Sequence, residues 1–516
     1  MRRGLIFACL VAMALPLTVE NSLAEQRSSQ GTLDIGSRLE LFVDDYLIDT
    51  RKAVELKLHS PRPREIALSF AEVPWEGTVS FYPTVMKDGY LYRAYYRGKP
   101  ASTPDSSQDE VTCYAESLDG IHWTRPRLGL FEVMGTRENN VVLDNSYAPM
   151  PLDWSPFIDT RPGVLPEERY KSIGGHFYDA DHLKGRVPDS ILAGYKYLGG
   201  LFGFRSTDGI RWEAIAPEPL ITPGHYPLLW DSGGTHAFWS EAEGRYVCYL
   251  RVHRKSEASE RQRTGSGRDT IRWIGRTTSA DFLNWSQIEP LDFGDAPDEE
   301  LYTNAIVPYF RAPHIYLGFS KRILPARKAV AEHPLAGVSD GVFMSSRDGV
   351  RFHRRLEAFL RPGPDRNNWT ERNNAIAVGL IPTAADEVSL YWIENYRHPR
   401  CRLRRGTLRL DGFVSAHAGY SGGELLTHPL LFKGGSLVLN YATSAAGSIR
   451  VEIQEASGQA IPGYALEQSP KLYGDQIDHV FQWQNGSNVA SLVGRPIRLR
   501  FVMKDADLYS LRFREE

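Results

Sequence analysis

Four acidic residues that stand beside β-rich runs are the main candidates for chemistry in this chain. They are Glu76, Asp159, Asp231 and Glu300. Glu76 precedes the run that begins at Phe81 by five residues, and Glu300 precedes the run that begins at Ala305 by the same step. Two carboxyl groups in one pocket can hydrolyse a glycosidic bond, because one protonates the leaving oxygen while the other attacks or activates water. We therefore expect the four to be catalytic residues of one pocket, with Glu76 and Glu300 as the acid/base or nucleophile pair.

Several of these carboxylates also have a structural interpretation. Asp159 can cap the turn that follows it, and Asp231 can hydrogen-bond the backbone of the Ser-Gly-Gly segment after it. Glu371 occupies a similar position in the chain, but it stands next to Arg372 and can simply pair with it. The sequence leaves these alternatives open.

Five polar residues near the same runs are candidates for binding a sugar. They are His236, Arg268, Asp269, Tyr302 and Arg372. Arg268 follows a long polar loop, and a guanidinium there can hold an anionic sugar group through two hydrogen bonds. The alternatives are a solvated loop base for Arg268 and Asp269, and a core histidine for His236.

The pattern of metal-ligating residues predicts no catalytic metal and no cofactor. Cys113, Cys248 and Cys401 are an odd number at wide spacing, which is neither a disulfide framework nor a zinc site. A structural Ca²⁺ on the axis is compatible with the many nearby oxygen ligands.

A repeated turn gives the main evidence for the elements that position these residues. The pattern is Ser-x-Asp-Gly-x-x-aromatic, and its four copies are 117–123, 206–212, 279–285 and 346–352. Asp bonds its own backbone, Gly takes a positive φ, and the aromatic residue anchors the returning strand. We expect Trp123, Trp212 and Trp285 to occupy equivalent buried places.

Each turn follows a β-rich run and an earlier hairpin, so each unit has four strands. One unit cannot bury both of its faces, and radial repetition solves this problem. A fifth unit, from Ala375 to Leu410, lacks the turn. The sequence thus predicts an all-β fold, a five-bladed β-propeller at 25–412. We expect Arg38–Ile48 to supply a closing strand from the N-terminus.

The sequence pattern changes after Gly412, because the Asp-Gly turns do not occur beyond it. Short strands separated by polar turns continue to the end, which predicts a C-terminal antiparallel β-sandwich at 413–516. This part either binds glycan or braces the propeller. Bracing is favoured, because the strands show no exposed row of aromatic residues.

The N-terminus and the net charge indicate location and partners. Two arginines, an apolar run at Leu5–Val19 and Ser22-Leu23-Ala24 are typical of a signal peptide at 1–24, so we expect a secreted or periplasmic protein. No later segment is apolar enough to span a membrane. The formal net charge of -3 gives no sign of nucleic-acid binding. The oligomeric state is left open.

These motifs carry a resemblance to known proteins. The Asp-Gly turns, the five units and the appended sandwich resemble the five-bladed propeller glycoside hydrolases of families 32, 43 and 68. The segment Leu41–Ile48, Leu-Phe-Val-Asp-Asp-Tyr-Leu-Ile, is similar to the opening of secreted bacterial proteins described as glycosyl hydrolase family 32 N-terminal-like. Family 32 enzymes carry a Trp-x-Asn-Asp-Pro-Asn-Gly motif in blade one. Here the nearest segment is Trp75-Glu76-Gly77, which departs from it and makes fructan chemistry doubtful.

The resemblance and the carboxylates together imply a secreted glycoside hydrolase that acts on an oligo- or polysaccharide in the axial pocket. The alternative is a secreted propeller that binds carbohydrate without catalysis.

Overall fold

The structure, a computed structural model, describes residues 31–99, 110–144, 153–175, 200–228, 230–255 and 270–515. The expected signal peptide, Arg268 and Asp269 lie outside these residues. The described chain is almost entirely β-strand. Its helical segments are single 3-10 turns at Pro166–Glu168, Pro223–His225, Arg366–Asn368, Leu466–Gln468 and Ala490–Leu492. None of the described helical segments is long or apolar enough to cross a membrane.

Within the described ranges thirty-one strands form six sheets, and five of these sheets are the blades of a propeller. The first strands of the chain are β1 (Leu33–Gly36), β2 (Glu40–Leu41), β3 (Ile48–Lys52), β4 (Val54–Leu58) and β5 (Arg62–Ser69). Blade one contains β6 (Phe81–Asp88), β7 (Leu91–Gly98), β8 (Val111–Ser117) and β9 (Val141–Leu143). Blade two contains β10 (Ser155–Ile158), β11 (Tyr170–Gly174), β12 (Phe202–Ser206) and β13 (Glu213–Ala214). Blade three contains β14 (Trp230–Ser240), β15 (Arg245–Lys255), β16 (Thr270–Ser279) and β17 (Glu289–Pro290).

Blades four and five complete the ring. Blade four contains β18 (Glu300–Thr303), β19 (Val307–Tyr309), β20 (Ala312–Leu324), β21 (Val338–Ser346) and β22 (His353–Leu360). Blade five contains β23 (Ile381–Ala384), β24 (Glu387–Glu394) and β25 (Arg402–Arg409), and β5 is its outer strand. The predicted fold class, a five-bladed propeller, is confirmed.

The closing strand comes from the N-terminal part of the chain, but from a different segment than expected. Arg402 pairs with Ser69, and Thr407 pairs with Arg62. The assignment of this role to Arg38–Ile48 was wrong. That segment is divided between β2 and the start of β3, which pair with strands of the sixth sheet.

The sixth sheet has ten strands and combines both ends of the described chain. Its C-terminal members are β26 (Val414–Ala418), β27 (Gly423–Thr427), β28 (Leu430–Phe432), β29 (Ser436–Glu455), β30 (Asp475–Val480) and β31 (Ile497–Arg514). The N-terminal strands β1 to β4 pair with β28, β31, β27 and β26 respectively. One apolar core unites them, with Ile35 and Val54 packed among C-terminal residues such as Leu439 and Phe501.

The Ser-x-Asp turns have the predicted geometry and connect the third and fourth strands of their blades. In blade two, Gly209 N donates to Ser206 Oγ at 2.9 Å. The Asp208 carboxylate accepts from the backbone N–H groups of Ile210 and Arg211, both at 2.8 Å. Gly209 has a φ of 76°, which glycine adopts without strain.

These turns also link neighbouring blades. A tyrosine on the second strand of one blade donates its hydroxyl to the glycine carbonyl of the next blade's turn. The pairs are Tyr95 with Gly209, Tyr249 with Gly349, and Tyr391 with Gly120. The repeated motif is therefore a structural joint of the ring.

The expectation of three equivalent tryptophans holds for two of them. Trp212 Nε1 donates to Gly209 O at 3.1 Å and Trp285 Nε1 donates to Phe282 O at 2.9 Å, and both side chains are buried. Trp123 has the equivalent edge-on contact, with Tyr391 of blade five as Trp212 has with Tyr95, but its indole is only half-buried, so the expected burial was wrong for this residue.

Candidate active site at the axial mouth

Two cavities mark the ends of the propeller axis. The first lies where the inner strands begin, at Phe81, Asp153, Thr303 and Ala375, and we name this end the upper mouth. The second has a volume of about 440 Å³ and lies where they end, and we name that end the lower mouth. Its lining includes Met86, Ile158, Pro308 and Ile381. Side chains just before an inner strand therefore project near the upper mouth.

Tyr302, on the inner strand β18, lies beside the upper mouth, next to Thr303 and 6.3 Å from the ring of Phe81, both of which line its cavity. Four cationic groups lie within 6 Å of its ring centroid. The distances are 4.1 Å for Lys321 Nζ, 4.3 Å for Arg251 Cζ, 5.6 Å for Arg272 Cζ and 5.9 Å for Arg372 Cζ. The ring is 8% exposed. A tyrosine so placed experiences an unusually positive field.

That field changes the acidity of the phenol. Burial alone would raise the pKa of Tyr302, but the charges of Arg372 and Arg251 and a hydrogen bond with Tyr82 lower the pKa below its ordinary value. The phenolate form of Tyr302 is therefore easier to reach than that of an ordinary tyrosine.

Two of these cations, Arg251 and Lys321, lie on the second strands of their blades, as Arg97 does in blade one. Arg97 pairs with Phe81 and Arg251 with Asp231, near the beginnings of β6 and β14, whereas Lys321 pairs with Thr303 at the end of β18. Second strands thus supply a positive side chain in three blades.

Lys321 is an unusual member of this set. Its side chain is fully buried, and its Nζ has no hydrogen-bond partner among the residues that the structure describes. Burial, together with the neighbouring charge of Arg372, holds the pKa of Lys321 well below its ordinary value. A buried amine without an acceptor is costly, and such groups call for an explanation.

Five carboxylates of the upper mouth each lie within 4 Å of a guanidinium. The pairs are Asp231 with Arg251 (2.6 Å), Glu371 with Arg397 (2.8 Å), Glu300 with Arg272 (3.0 Å), and Glu110 and Asp153 with Arg97 (3.5 and 3.9 Å). Burial would raise the pKa of Asp231, but Arg251 lowers it below its ordinary value. Asp231 is therefore held as a carboxylate and is a poor proton donor at neutral pH.

The backbone around the upper mouth adopts conformations that side chains rarely take. Tyr82, Asp153, Ala305 and Arg372 have φ values of 50°, 49°, 43° and 61°. Such backbone strain persists only where the surrounding structure enforces it, and it concentrates at functional sites. Four blades contribute one such residue each, which favours this end of the axis as the site.

Glu76 occupies a different environment from Glu300. Its carboxylate is fully buried and accepts hydrogen bonds from Tyr96 Oη (2.6 Å), Arg125 Nε and Nη2 (both 2.8 Å) and Asn140 Nδ2 (3.2 Å). These partners belong to blade one, and the structure gives Glu76 and Glu300 no common partner. The contacts of Glu76 are those of a structural ion pair.

Asp159 lies at the opposite end of its strand from the position expected of it. It follows the last residue of β10, whereas the residue of blade two that precedes the inner strand is Asp153. The Asp159 carboxylate is buried and accepts from Lys171 Nζ (2.6 Å) and Tyr246 Oη (2.7 Å). Its placement among the residues of one pocket with Asp231 and Glu300 was wrong.

His236 lies within the axis and lines the lower cavity. It is 4% exposed, and its Nδ1 lies 2.9 Å from Ser155 Oγ, which in turn lies 2.9 Å from Thr84 Oγ1. Burial lowers the pKa of His236 to about 3, so the ring is neutral at ordinary pH. These contacts agree with the core interpretation.

Arg372 and Glu371 do not pair with each other in the way the alternative interpretation suggested. Glu371 contacts Arg397 and His333, whereas Arg372 lies over Tyr302 and donates to Tyr396 Oη at 3.2 Å. Within the described ranges, no group of three or more His, Cys, Asp or Glu is placed to hold a metal ion.

Sequence reasoning missed Arg97, Arg251 and Lys321. A signal was present in two blades, because Tyr95-Tyr96-Arg97 and Tyr249-Leu250-Arg251 share a Tyr-x-Arg pattern. The tyrosine binds the turn of the next blade, and the arginine two residues later faces the upper mouth. Lys321 lies on a strand, β20, that lacks this pattern, so only the structure reveals its position.

The chain is similar to known proteins at the level of solved structures. Neither a protein-family profile nor a curated protein sequence matches the chain. Solved structures match at low identity. A glycoside hydrolase is 13% identical with a TM-score of 0.44, over 68% of this chain and 92% of its own. A family 43 arabinoxylan arabinofuranohydrolase from Bacillus subtilis, in complex with cellotetraose, is 12% identical with a TM-score of 0.39, over 89% of this chain and 99% of its own.

A third similar structure is an N-acetylgalactosamine deacetylase from F. plautii, in complex with blood group B trisaccharide. It is 12% identical with a TM-score of 0.44, over 70% of this chain and 97% of its own. Two of these three structures are named as glycoside hydrolases.

Proposed function

We propose that the protein is an exported glycoside hydrolase whose active site is the upper mouth. The observation that carries this proposal is the pairing of Glu300 and Tyr302 on β18. The two residues stand two apart in this short strand, and a retaining glycosidase needs a nucleophile and an acid/base that flank one glycosidic bond. Arg272 lies near both, at 3.0 Å from Glu300 and 5.6 Å from the Tyr302 ring centroid.

The chemistry of these two side chains suggests their roles. Tyr302 is the nucleophile, because the surrounding cations favour its phenolate, which attacks the anomeric carbon. Glu300 protonates the leaving oxygen and then takes a proton from the water that releases the sugar. Asp231 holds Arg251 against Tyr302 and is a positioning residue. Export is proposed from the signal-peptide pattern at 1–24.

A second candidate function is carbohydrate binding without catalysis. The observation that favours it is that all five carboxylates of the upper mouth are ion-paired, including Glu300. An acid held by a guanidinium is a weak proton donor unless substrate binding displaces the arginine.

The test is a screen of the purified protein against a glycan panel, read by released reducing sugar and by binding calorimetry. Hydrolysis requires that Tyr302→Phe and Glu300→Gln each lower turnover by 100-fold or more, about 2.7 kcal/mol of transition-state stabilisation. Tyr90→Phe is the matched control, since Tyr90 is 82% exposed on a hairpin turn.

The outcomes separate the two candidates. Reducing sugar released by the wild type and lost in both site variants supports hydrolysis. Tight glycan binding without release in any protein rejects hydrolysis and favours the binding propeller. Full activity of Tyr302→Phe rejects the nucleophile assignment.

A further inference from the structure

We infer that the upper mouth recognises a sugar that carries an anionic group, a carboxylate or a sulfate, held between Lys321 and Arg372. This inference rests on the proposed function, because it names the class of substrate for the same site. The observation behind it is the balance of charge around Tyr302.

The four cations around Tyr302 fall into two kinds. Arg251 and Arg272 have their own carboxylates, Asp231 and Glu300, at 2.6 and 3.0 Å. Lys321 and Arg372 make no ion pair with any described residue. Arg372 therefore lacks a counterion, and Lys321, whose pKa is held well below its ordinary value by burial, lacks a hydrogen-bond acceptor.

The cost of this arrangement points to a missing partner. Lys321 is fully buried with an unpartnered Nζ, and the charge of Arg372 further lowers its pKa. Uncompensated buried charge is strongly unfavourable unless hydrogen bonds and an opposite charge satisfy it. A phenolate on Tyr302 balances only one of the two. A carboxylate or a sulfate supplies both an acceptor for Nζ and two oxygens for the guanidinium.

Further donors at the same place remain unused. The Nε atoms of Arg97 and Arg251 are buried without a hydrogen-bond acceptor. The donors of the upper mouth thus exceed the acceptors that its own residues provide. Anionic ligands are rich in acceptors, whereas a cationic ligand would add to the excess of donors.

The surroundings of the cations suit the ring of a sugar. Phe81 packs against Tyr396 and Tyr302, with centroids 5.3 and 6.3 Å away, and half-buried Tyr82 lies beside it at 4.5 Å. Phe81 and Tyr396 are buried at 1% and 2% exposure, so half-buried Tyr82 is the aromatic of this cluster on which a sugar ring could lie.

The experiment compares three sets of oligosaccharides of matched length by binding calorimetry: galacturonate oligomers, sulfated galactose oligomers and neutral galactose oligomers. The variants are Lys321→Met and Arg372→Met. The matched control is Lys504→Met, because Lys504 Nζ lies 4.3 Å over the ring of Tyr420, outside the propeller axis. We expect the wild type to bind at least one anionic set at least 10-fold more tightly than the neutral set. Both mouth variants should lose that preference, and Lys504→Met should keep it.

Melting temperature keeps the test independent of hydrolysis. Galacturonate or sulfate, added as free ions at equal ionic strength with chloride as reference, should raise the melting temperature of the wild type and not of Lys321→Met. Binding without turnover would reject the hydrolase while leaving this inference intact. Equal affinity for neutral and anionic sugars, or a preference that survives in Lys321→Met, would overturn the inference even if the enzyme is active. Galacturonate and sulfated oligomers separate the carboxylate from the sulfate.

Discussion

Replacement of Glu76 by Gln tests whether this residue serves structure or catalysis. The carboxylate is fully buried and accepts four hydrogen bonds, two of them from Arg125. Glutamine keeps the shape but leaves the guanidinium without its counterion, which costs about 3–5 kcal/mol for a buried pair. Arg125 is 24% exposed, so we expect a value near the lower end, about 3 kcal/mol.

The predicted effect on melting follows from the size of the folding unit. The propeller from Arg62 to Asp411 has an unfolding entropy of about 0.7 kcal/mol per kelvin, so the loss corresponds to a melting temperature lower by about 4 °C. Arg125 Nη2 also donates to Ser69 O at 2.9 Å, on the strand that closes the ring. Glu76→Gln should therefore release the N-terminal strand to protease earlier than the wild type.

The assay is thermal melting with limited proteolysis, beside turnover on whatever glycan the screen identifies. The matched control is Glu138→Gln in the same blade, because Glu138 forms a 2.7 Å pair with Arg127 but is exposed. Exposed pairs contribute little, so this control should shift unfolding by less than about 1 kcal/mol. An unchanged melting temperature for Glu76→Gln, together with a 100-fold loss of turnover, would refute the structural assignment and restore the catalytic one.

Three further predictions concern the core and the axis. Trp212→Ala should lower the free energy of unfolding by about 3–5 kcal/mol, and Trp123→Ala should lower it clearly less, because Trp123 is only half-buried. Equal losses for the two variants in urea unfolding would contradict this. In the unfolded chain His236 binds a proton below pH 6.5, whereas in the native protein it does so only near pH 3. As the pH falls from 6.5 to 3, this difference should lower the free energy of unfolding by on the order of 4 kcal/mol. His236→Asn should abolish that fall. Exposed His122→Asn is the control, and an unchanged slope in His236→Asn would contradict the assignment. Ultraviolet titration should show one tyrosine ionising below the usual pH, and this step should vanish in Tyr302→Phe and move upward in Arg372→Met; its persistence in Tyr302→Phe would assign it elsewhere.

The propeller was predictable because its signal is local and repeated. The Ser and Asp of each turn accept hydrogen bonds from backbone groups a few residues away, so four copies reveal the period of the blades. The closing strand was not predictable in the same way. Both Leu41–Ile48 and Arg62–Ser69 have strand-like character, and only the long-range pairing of Arg62 with Thr407 decides between them.

The site was predictable only in part, for a related reason. Counting residues before each inner strand found Asp231 and Glu300 at the upper mouth. The same count also assigned Glu76 to the catalytic pair. The sequence does not reveal that Arg125 and Asn140, which come later in blade one, donate hydrogen bonds to its carboxylate. The field at Tyr302 arises from cations on different blades, which no single stretch of sequence contains.

The pairing of the first strands with the last ones imposes an order on biosynthesis. Leu33 pairs with Leu430 and Glu40 pairs with Leu511, and β5 has no pairing partner until β25 has been synthesised. A chain that leaves a ribosome or a membrane channel N-terminus first therefore carries unpaired strand edges until nearly all of it has emerged. Such edges invite association with other chains. The nascent protein thus depends on protection of these strand edges until its C-terminal strands have emerged. A prematurely terminated chain would have neither a closed ring nor pairing partners for its N-terminal strands.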